Sequence, residues 1–197
     1  MKQSKIKIAV TGGIGSGKST VCRIIQSMGF PVYSCDEVYK SVLQDGQTVE
    51  ELEREFGQRI KNTDGSLNRS ALSAIVFGDE TKLEKLNKIT HPKIFEKLFE
   101  ISTNDDGVVF YEVPLLFEGG YEKLFDKVLV VLRDRKARIN SIMVRDSLTE
   151  EEVNNRLNKQ LNYDNTDFAK YYVIDNDGNI DDLSREVDAF LFKITNV

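Results

Sequence analysis

Residues Gly12 to Thr20 read Gly-Gly-Ile-Gly-Ser-Gly-Lys-Ser-Thr and fit the pattern GxxxxGK[ST]. Glycines at this spacing let successive backbone N–H groups turn inward around phosphate oxygens. A helix beginning at the end of the run would add the positive end of its dipole. Lys18 is long enough to reach the β and γ oxygens of a nucleoside triphosphate, and the Ser19 hydroxyl is a ligand of the kind magnesium takes. The expected contacts for ATP are therefore Gly13, Ile14, Gly15, Ser16, Gly17, Lys18, Ser19 and Thr20, with Ser19 also facing Mg2+. A glycine-rich turn that matches by accident is the competing reading. Ordinary amino-acid usage puts such a match at under about one in a hundred chains of this length, before strand and helix flanks are required.

Phosphate binding alone does not separate nucleotide switches from kinases. A guanine-reading switch needs an NKxD motif after a strand, and the nearest string, Asn87-Lys88-Ile89-Thr90, lacks the aspartate and lies in a helical pattern. A kinase acting on an alcohol needs a carboxylate near the γ-phosphate to take the hydroxyl proton, and cations to spread over the transferring group. Asp36 qualifies by position, although it also stands where a helix N-cap would stand. Glu112, at the end of an apolar run, is placed like an acid that holds Mg2+ through water, and a cap or salt-bridge role competes with that reading. Arg133, Arg135, Arg138, Arg145 and Arg156 crowd one segment, which taken by itself reads as a solvated face. His91, the only histidine, precedes Pro92 and reads as a helix-start residue at a break.

These residues need elements to position them. Ile6 to Val10, Pro31 to Tyr33 and Tyr171 to Ile174 read as short strands, and Val108 to Tyr111 and Val128 to Leu132 are β-branched or apolar runs of the kind that form buried parallel strands. Helical spacing follows the first at Val21, Ile24, Ile25 and Met28, and closes the chain at Leu183, Val187, Phe190, Leu191 and Ile194. Thr149 with Glu152 reads as a capping box. Between Asp36 and Ile101 the pattern is helical and charged, with a turn at Asn62-Thr63-Asp64-Gly65. The alternation implies an α/β fold with a parallel sheet. If the second strand ends beside the first, Asp36 faces the phosphate loop.

Bulk properties narrow the function further. At 197 residues the chain can bury roughly 70% of its unfolded surface, enough for one core, and it carries no linker or repeat that marks a second domain. A net charge of −5 argues against a nucleic-acid backbone partner, which needs a basic surface. No apolar run approaches the roughly 20 residues that span a bilayer, so no membrane partner is expected. Two separated cysteines, Cys22 and Cys35, fit a reducing, cytoplasmic compartment. We expect a monomer.

Several ordered blocks resemble one family. Thr11 to Thr20, Gly65-Ser66-Leu67-Asn68-Arg69 with Leu72 and Phe77, His91-Pro92, and Pro114-Leu115-Leu116-Phe117-Glu118 look like successive blocks of the dephospho-CoA kinases. Arg145-Asp146-Ser147-Leu148-Thr149 with Glu151, Glu152, Arg156 and Gln160 resembles that family's lid helices, and Val173 to Gly178 its last strand and turn. The sequence departs from the family pattern at Ser34, Lys40 and Ser141. The resemblance implies a P-loop NTPase three-layer sandwich, α/β with about five parallel strands, in a single domain over 1–197. It also implies an acceptor-binding insertion near 36–101 and a lid near 134–165. The implied activity is ATP- and Mg2+-dependent phosphorylation of the ribose 3′-hydroxyl of dephospho-CoA. Asp36, Lys18 and Arg145 would be catalytic, and Asp36, Arg69, Phe77, His91, Pro114 and Leu115 would meet the acceptor.

Overall fold

The computed structural model describes residues Lys5 to Asn196. Strand β1 (Ile6–Thr11) is buried throughout its second half, as its unbroken apolar run demands. It pairs in parallel on one side with β3 (Val108–Glu112) and on the other with β4 (Lys127–Leu132), which pairs in parallel with β5 (Tyr172–Asp175). With β2 (Val32–Ser34) outside β3, the order is β2-β3-β1-β4-β5. The expectation that the second strand lies beside the first is thus corrected. β3 carries Val109, Phe110 and Tyr111 with no exposed surface and belongs in the interior, whereas the three half-buried residues of β2 suit an edge. Parallel pairing brings the carboxyl ends of β1, β4 and β5 to one rim, where an open α/β sheet binds its ligands.

Side chains alternate across the sheet. Ile8, Val10, Phe110, Leu129, Val131 and Ile174 form one core with Val21 and Ile25 of α1 (Lys18–Ser27) and Val187, Phe190 and Leu191 of α8 (Ile180–Thr195). On Tyr111 of β3, by contrast, Phe125 and Tyr33 close at 5.6 and 6.0 Å between ring centroids.

Residue contacts divide the chain into two compact units, one running through Tyr33 and again from Asp105, the other Ser34–Asn104. The second unit is helical: α2 (Cys35–Val42), α3 (Gly46–Phe56), α4 (Arg69–Val76) and α5 (Glu80–Ile101). Leu43, Leu52, Ile60, Leu72 and Leu86 make its core. Asp45, Asn68 and Asp79 cap the last three helices, each accepting a first-turn amide. Two readings of this stretch are corrected. The N-cap of α2 is Ser34, so Asp36 lies inside the first turn and its carboxylate is not a cap. No break occurs at His91-Pro92, because α5 runs through Pro92. That proline removes one amide donor, and the buried stripe Leu86, Thr90, Ile94, Phe95 and Leu98 holds the helix together on both sides of it. His91 therefore sits mid-helix.

The remaining helices, α6 (Arg135–Asp146) and α7 (Glu150–Leu157), pack through Ile142, Val153 and Leu157. The capping box at Thr149 forms in full, with Glu152 Oε2 accepting from Thr149 N at 2.8 Å. No helix among the described residues is long and apolar enough to cross a membrane.

Candidate active site

The phosphate loop leaves the carboxyl end of β1 and closes on itself, with Ser16 N donating to Gly13 O at 3.1 Å. Gly12, at φ +148°, has room for no side chain: a Cβ would stand 2.2 Å from the Val131 carbonyl oxygen of β4. Gly17 is the N-cap of α1 in a left-handed conformation and offers no side-chain acceptor to the first turn. A helix N-terminus without a side-chain cap is the kind that binds phosphate. Lys18 Nζ is held along the loop, donating to Gly12 O at 2.8 Å and Gly13 O at 3.1 Å.

Opposite the start of α1, β3 ends at Glu112. The Ser19 hydroxyl donates to Glu112 Oε1 at 2.8 Å, so the two residues expected to serve magnesium stand together. Both offer hard oxygen ligands, the type Mg2+ takes, and the ion is commonly completed by waters and substrate phosphates rather than by a protein cage.

A cleft of about 340 Å³ opens beside the loop, lined among others by Gly13, Ser16, Arg133, Arg138, Tyr163 and Asp177. Arg138 is only 4% exposed and ion-pairs with Asp164, which overturns its reading as a surface residue. Its Nη1 lies where a Cβ on Gly13 would fall, 2.6 Å away, so the cation abuts the loop backbone. Arg133 is half-buried and donates to Ser141 Oγ at 3.0 Å, while Arg135 remains exposed and reaches Asp164 and Asn154. Burial pushes the Tyr163 hydroxyl up to about 12, leaving it a neutral hydrogen-bonding group at pH 7. Two more side chains touch the loop: Gln160 Oε1 accepts from Ile14 N, and Asn176 Nδ2 donates to Ser16 O, both at 2.8 Å.

The expected lid arginines share one carboxylate. Arg145 Nε and Nη2 grip Asp146 at 2.7 and 3.0 Å, and Arg156 Nη1 adds a third bond at 3.0 Å. Hydrogen bonding from Arg145, with the Arg156 charge adding to it, holds the Asp146 carboxyl below the usual carboxylate range. The pair fixes Arg145 in orientation and leaves its side chain 59% exposed. Pro114 and Leu115 lie in the turns that follow β3, with Leu115 solvent-facing, and Glu118 Oε1 accepts from Leu161 N at 3.0 Å.

The other expected site residues belong to the 34–104 unit. Asp36 is exposed in the first turn of α2. Arg69 opens α4 and donates to Lys40 O at 3.1 Å. Phe77, the C-cap of α4, is 80% exposed and is no core residue. His91 is half-buried in α5, and desolvation pulls its imidazole below the ordinary value of 6.5.

Sequence reasoning assigned no role to Arg138, Tyr163 or Asn176, and named Gln160 only within a lid block. Arg138 was legible in principle, since it lies on the α6 stripe with Ile142, the two buried residues of that helix.

A phosphate loop at the rim of a five-stranded sheet, with a Ser–Glu pair beside its lysine, defines a P-loop kinase. The family model described as dephospho-CoA kinase matches residues 6–182. A dephospho-CoA kinase from Fusobacterium nucleatum is 39% identical over 93% of this chain and 95% of its own. A crystal structure from Thermus thermophilus superposes with a TM-score of 0.82 at 34% identity, covering 98% of this chain and 99% of that one. A dephospho-CoA kinase from Campylobacter jejuni gives 0.65 at 29% identity over 96% and 97%. The chain belongs to the dephospho-CoA kinase family.

Proposed function

We propose that this protein transfers the γ-phosphoryl group of ATP to the ribose 3′-hydroxyl of dephospho-CoA, yielding coenzyme A and ADP. The observation that carries the reading is the Lys18, Ser19 and Glu112 constellation, in a chain that matches its family over 6–182. In the reaction the 3′-oxygen forms a bond to the γ-phosphorus, and the bond to the β–γ bridging oxygen breaks, its electron pair leaving on ADP. The hydroxyl proton passes to the Asp36 carboxylate late, as the phosphoryl group loosens. Lys18 and Arg145 stabilise the equatorial oxygens, and the inward amides of the loop hold the β-phosphate. Magnesium, when bound by the Ser19 hydroxyl and through water by Glu112, supplies neutralising charge to the phosphate oxygens. Arg69, Phe77, His91, Pro114 and Leu115 contact the acceptor; an 80% exposed phenylalanine is suited to pack on a ligand. The 134–165 segment acts as a lid that excludes water, and the protein works as a cytoplasmic monomer.

The test is ADP release with ATP and magnesium in the presence of dephospho-CoA, adenosine, AMP or shikimate, with Lys18→Ala as the blank. Turnover with dephospho-CoA alone is expected. Equal turnover with AMP or shikimate would show that a different acceptor is served.

A further inference from the structure

The phosphate loop is gripped from outside at two backbone positions, Ile14 and Ser16, on either side of Gly15 at φ +79°. Both grips are side-chain amides, and they use opposite chemistry. Gln160, just past α7, presents its carbonyl oxygen to the Ile14 N–H. Asn176, just past β5, presents its N–H2 to the Ser16 carbonyl. Each amide is itself anchored by main chain. Asn176 N donates to Leu132 O at 2.9 Å, which continues the β4–β5 ladder. Gln160 N donates to Leu157 O at 3.1 Å, and the next amide, Leu161 N, donates to Glu118. Asn176 also fits only because residue 17 is glycine: a Cβ there would lie 2.1 Å from Asn176 Nδ2.

We propose that Gln160 and Asn176 are positioning residues that hold the phosphate loop in its phosphate-receiving shape, one by accepting and one by donating a hydrogen bond. A glycine-rich loop has more backbone conformations available than any other, and few of them point consecutive amides at one anion. Apparent affinity falls in proportion to the fraction of molecules in the competent conformation. Removing either grip therefore weakens ATP binding and leaves the chemical step of the bound complex largely intact. A role confined to global stability would instead lower the melting temperature and leave the affinity of folded molecules unchanged.

The opposite chemistry gives an asymmetric test. Gln160→Glu keeps an acceptor for Ile14 N–H and Gln160→Met removes it; Asn176→Asp is isosteric but turns an oxygen toward the Ser16 carbonyl. Calorimetric Kd for magnesium ATP, and KM and kcat with dephospho-CoA, are measured for each folded variant beside Lys18→Ala. Exchange of the Ile14 amide is followed by NMR in protein without nucleotide. Asn176→Asp and Gln160→Met are expected to raise the Kd and KM for ATP about tenfold, equivalent to about 1.4 kcal/mol, with kcat and the acceptor KM within about twofold. The Ile14 amide is expected to stay protected in Gln160→Glu and to exchange freely in Gln160→Met. Wild-type ATP affinity in Asn176→Asp and Gln160→Met, or an Ile14 amide that stays protected in Gln160→Met, overturns the proposal. Should Asn176→Asp fail to fold, the Ile14 exchange pattern decides alone. The inference rests on the loop binding a triphosphate: if Lys18→Ala also binds ATP normally, that reading fails, whereas loss in Lys18→Ala alone sinks only the positioning role.

Discussion

Substituting alanine at three glycines separates backbone strain from steric overlap. Gly46 opens α3, has open space around its Cβ position and no positive φ, so Gly46→Ala should be neutral or stabilising by up to about 1 kcal/mol. Gly29 also has open space, but its φ is +89°, so Gly29→Ala carries strain alone, on the order of 1–2 kcal/mol. Gly12 combines φ +148° with a Cβ that would stand 2.2 Å from Val131 O, an acceptor inside the sheet, and 2.8 Å from Ser16 Oγ. An ordinary contact needs more than an ångström of further separation, so the loop must leave β4 or the strand must shift. Adding an overpacking cost of roughly 1–3 kcal/mol to the strain gives about 2–5 kcal/mol for Gly12→Ala. For a chain of this size each kcal/mol lowers the melting temperature by about 2–4 °C. Differential scanning calorimetry should therefore place Gly46→Ala at or above wild type, Gly29→Ala a few degrees below it, and Gly12→Ala about 10 °C below it. ATP affinity should fall only in Gly12→Ala. A melting temperature for Gly12→Ala equal to that of Gly29→Ala would refute the overlap argument, and unchanged ATP binding would refute the placement of the loop against β4.

Replacing Arg145 by Ala should lower kcat by on the order of 10³ in a coupled ADP-release assay; Arg145→Lys should recover little, because an ammonium cannot reproduce the two-pronged grip on Asp146. Asp36→Asn should lower kcat by roughly 10²–10⁴ with an unchanged circular dichroism spectrum, and near wild-type turnover would remove the residue from the proton transfer. Burial depresses His91 below 6.5, so the unfolded chain takes up a proton first as pH falls. Its contribution to stability is full above 6.5 and is lost as pH drops from there through the lowered folded value. Wild type should therefore lose melting temperature more steeply than His91→Asn between pH 6.5 and 5, and parallel curves would contradict the burial.

What could be read from the sequence was local. The phosphate loop spells out its function in nine consecutive residues, and the central strands are apolar because both faces are covered. Glu112 was reachable as well, since a strand-end acid is placed by the strand, and the Ser19–Glu112 bond spans 93 residues without requiring knowledge of anything but strand order. The grips on the loop were not legible, because Gln160 and Asn176 lie 146 and 160 residues from the atoms they hold. No periodicity links positions so far apart; only the parallel alignment of β1, β4 and β5 does. Arg138 was mistaken for surface because charge runs usually are, yet the Asp164 carboxylate and the loop backbone enclose it. Pro92 and Asp36 failed for other reasons: the buried stripe of α5 carried that helix past a breaker, and α2 takes Ser34, two residues before Asp36, as its N-cap, a residue type that caps as readily as Asp.

The central claim is transfer of the γ-phosphoryl group to one hydroxyl. Incubation with dephospho-CoA, magnesium and ATP labelled at the γ-phosphorus should place the label in coenzyme A at the ribose 3′ position, seen by phosphorus and proton NMR, with no incorporation in Lys18→Ala. Label appearing only as inorganic phosphate, or in another position of the acceptor, would contradict the account.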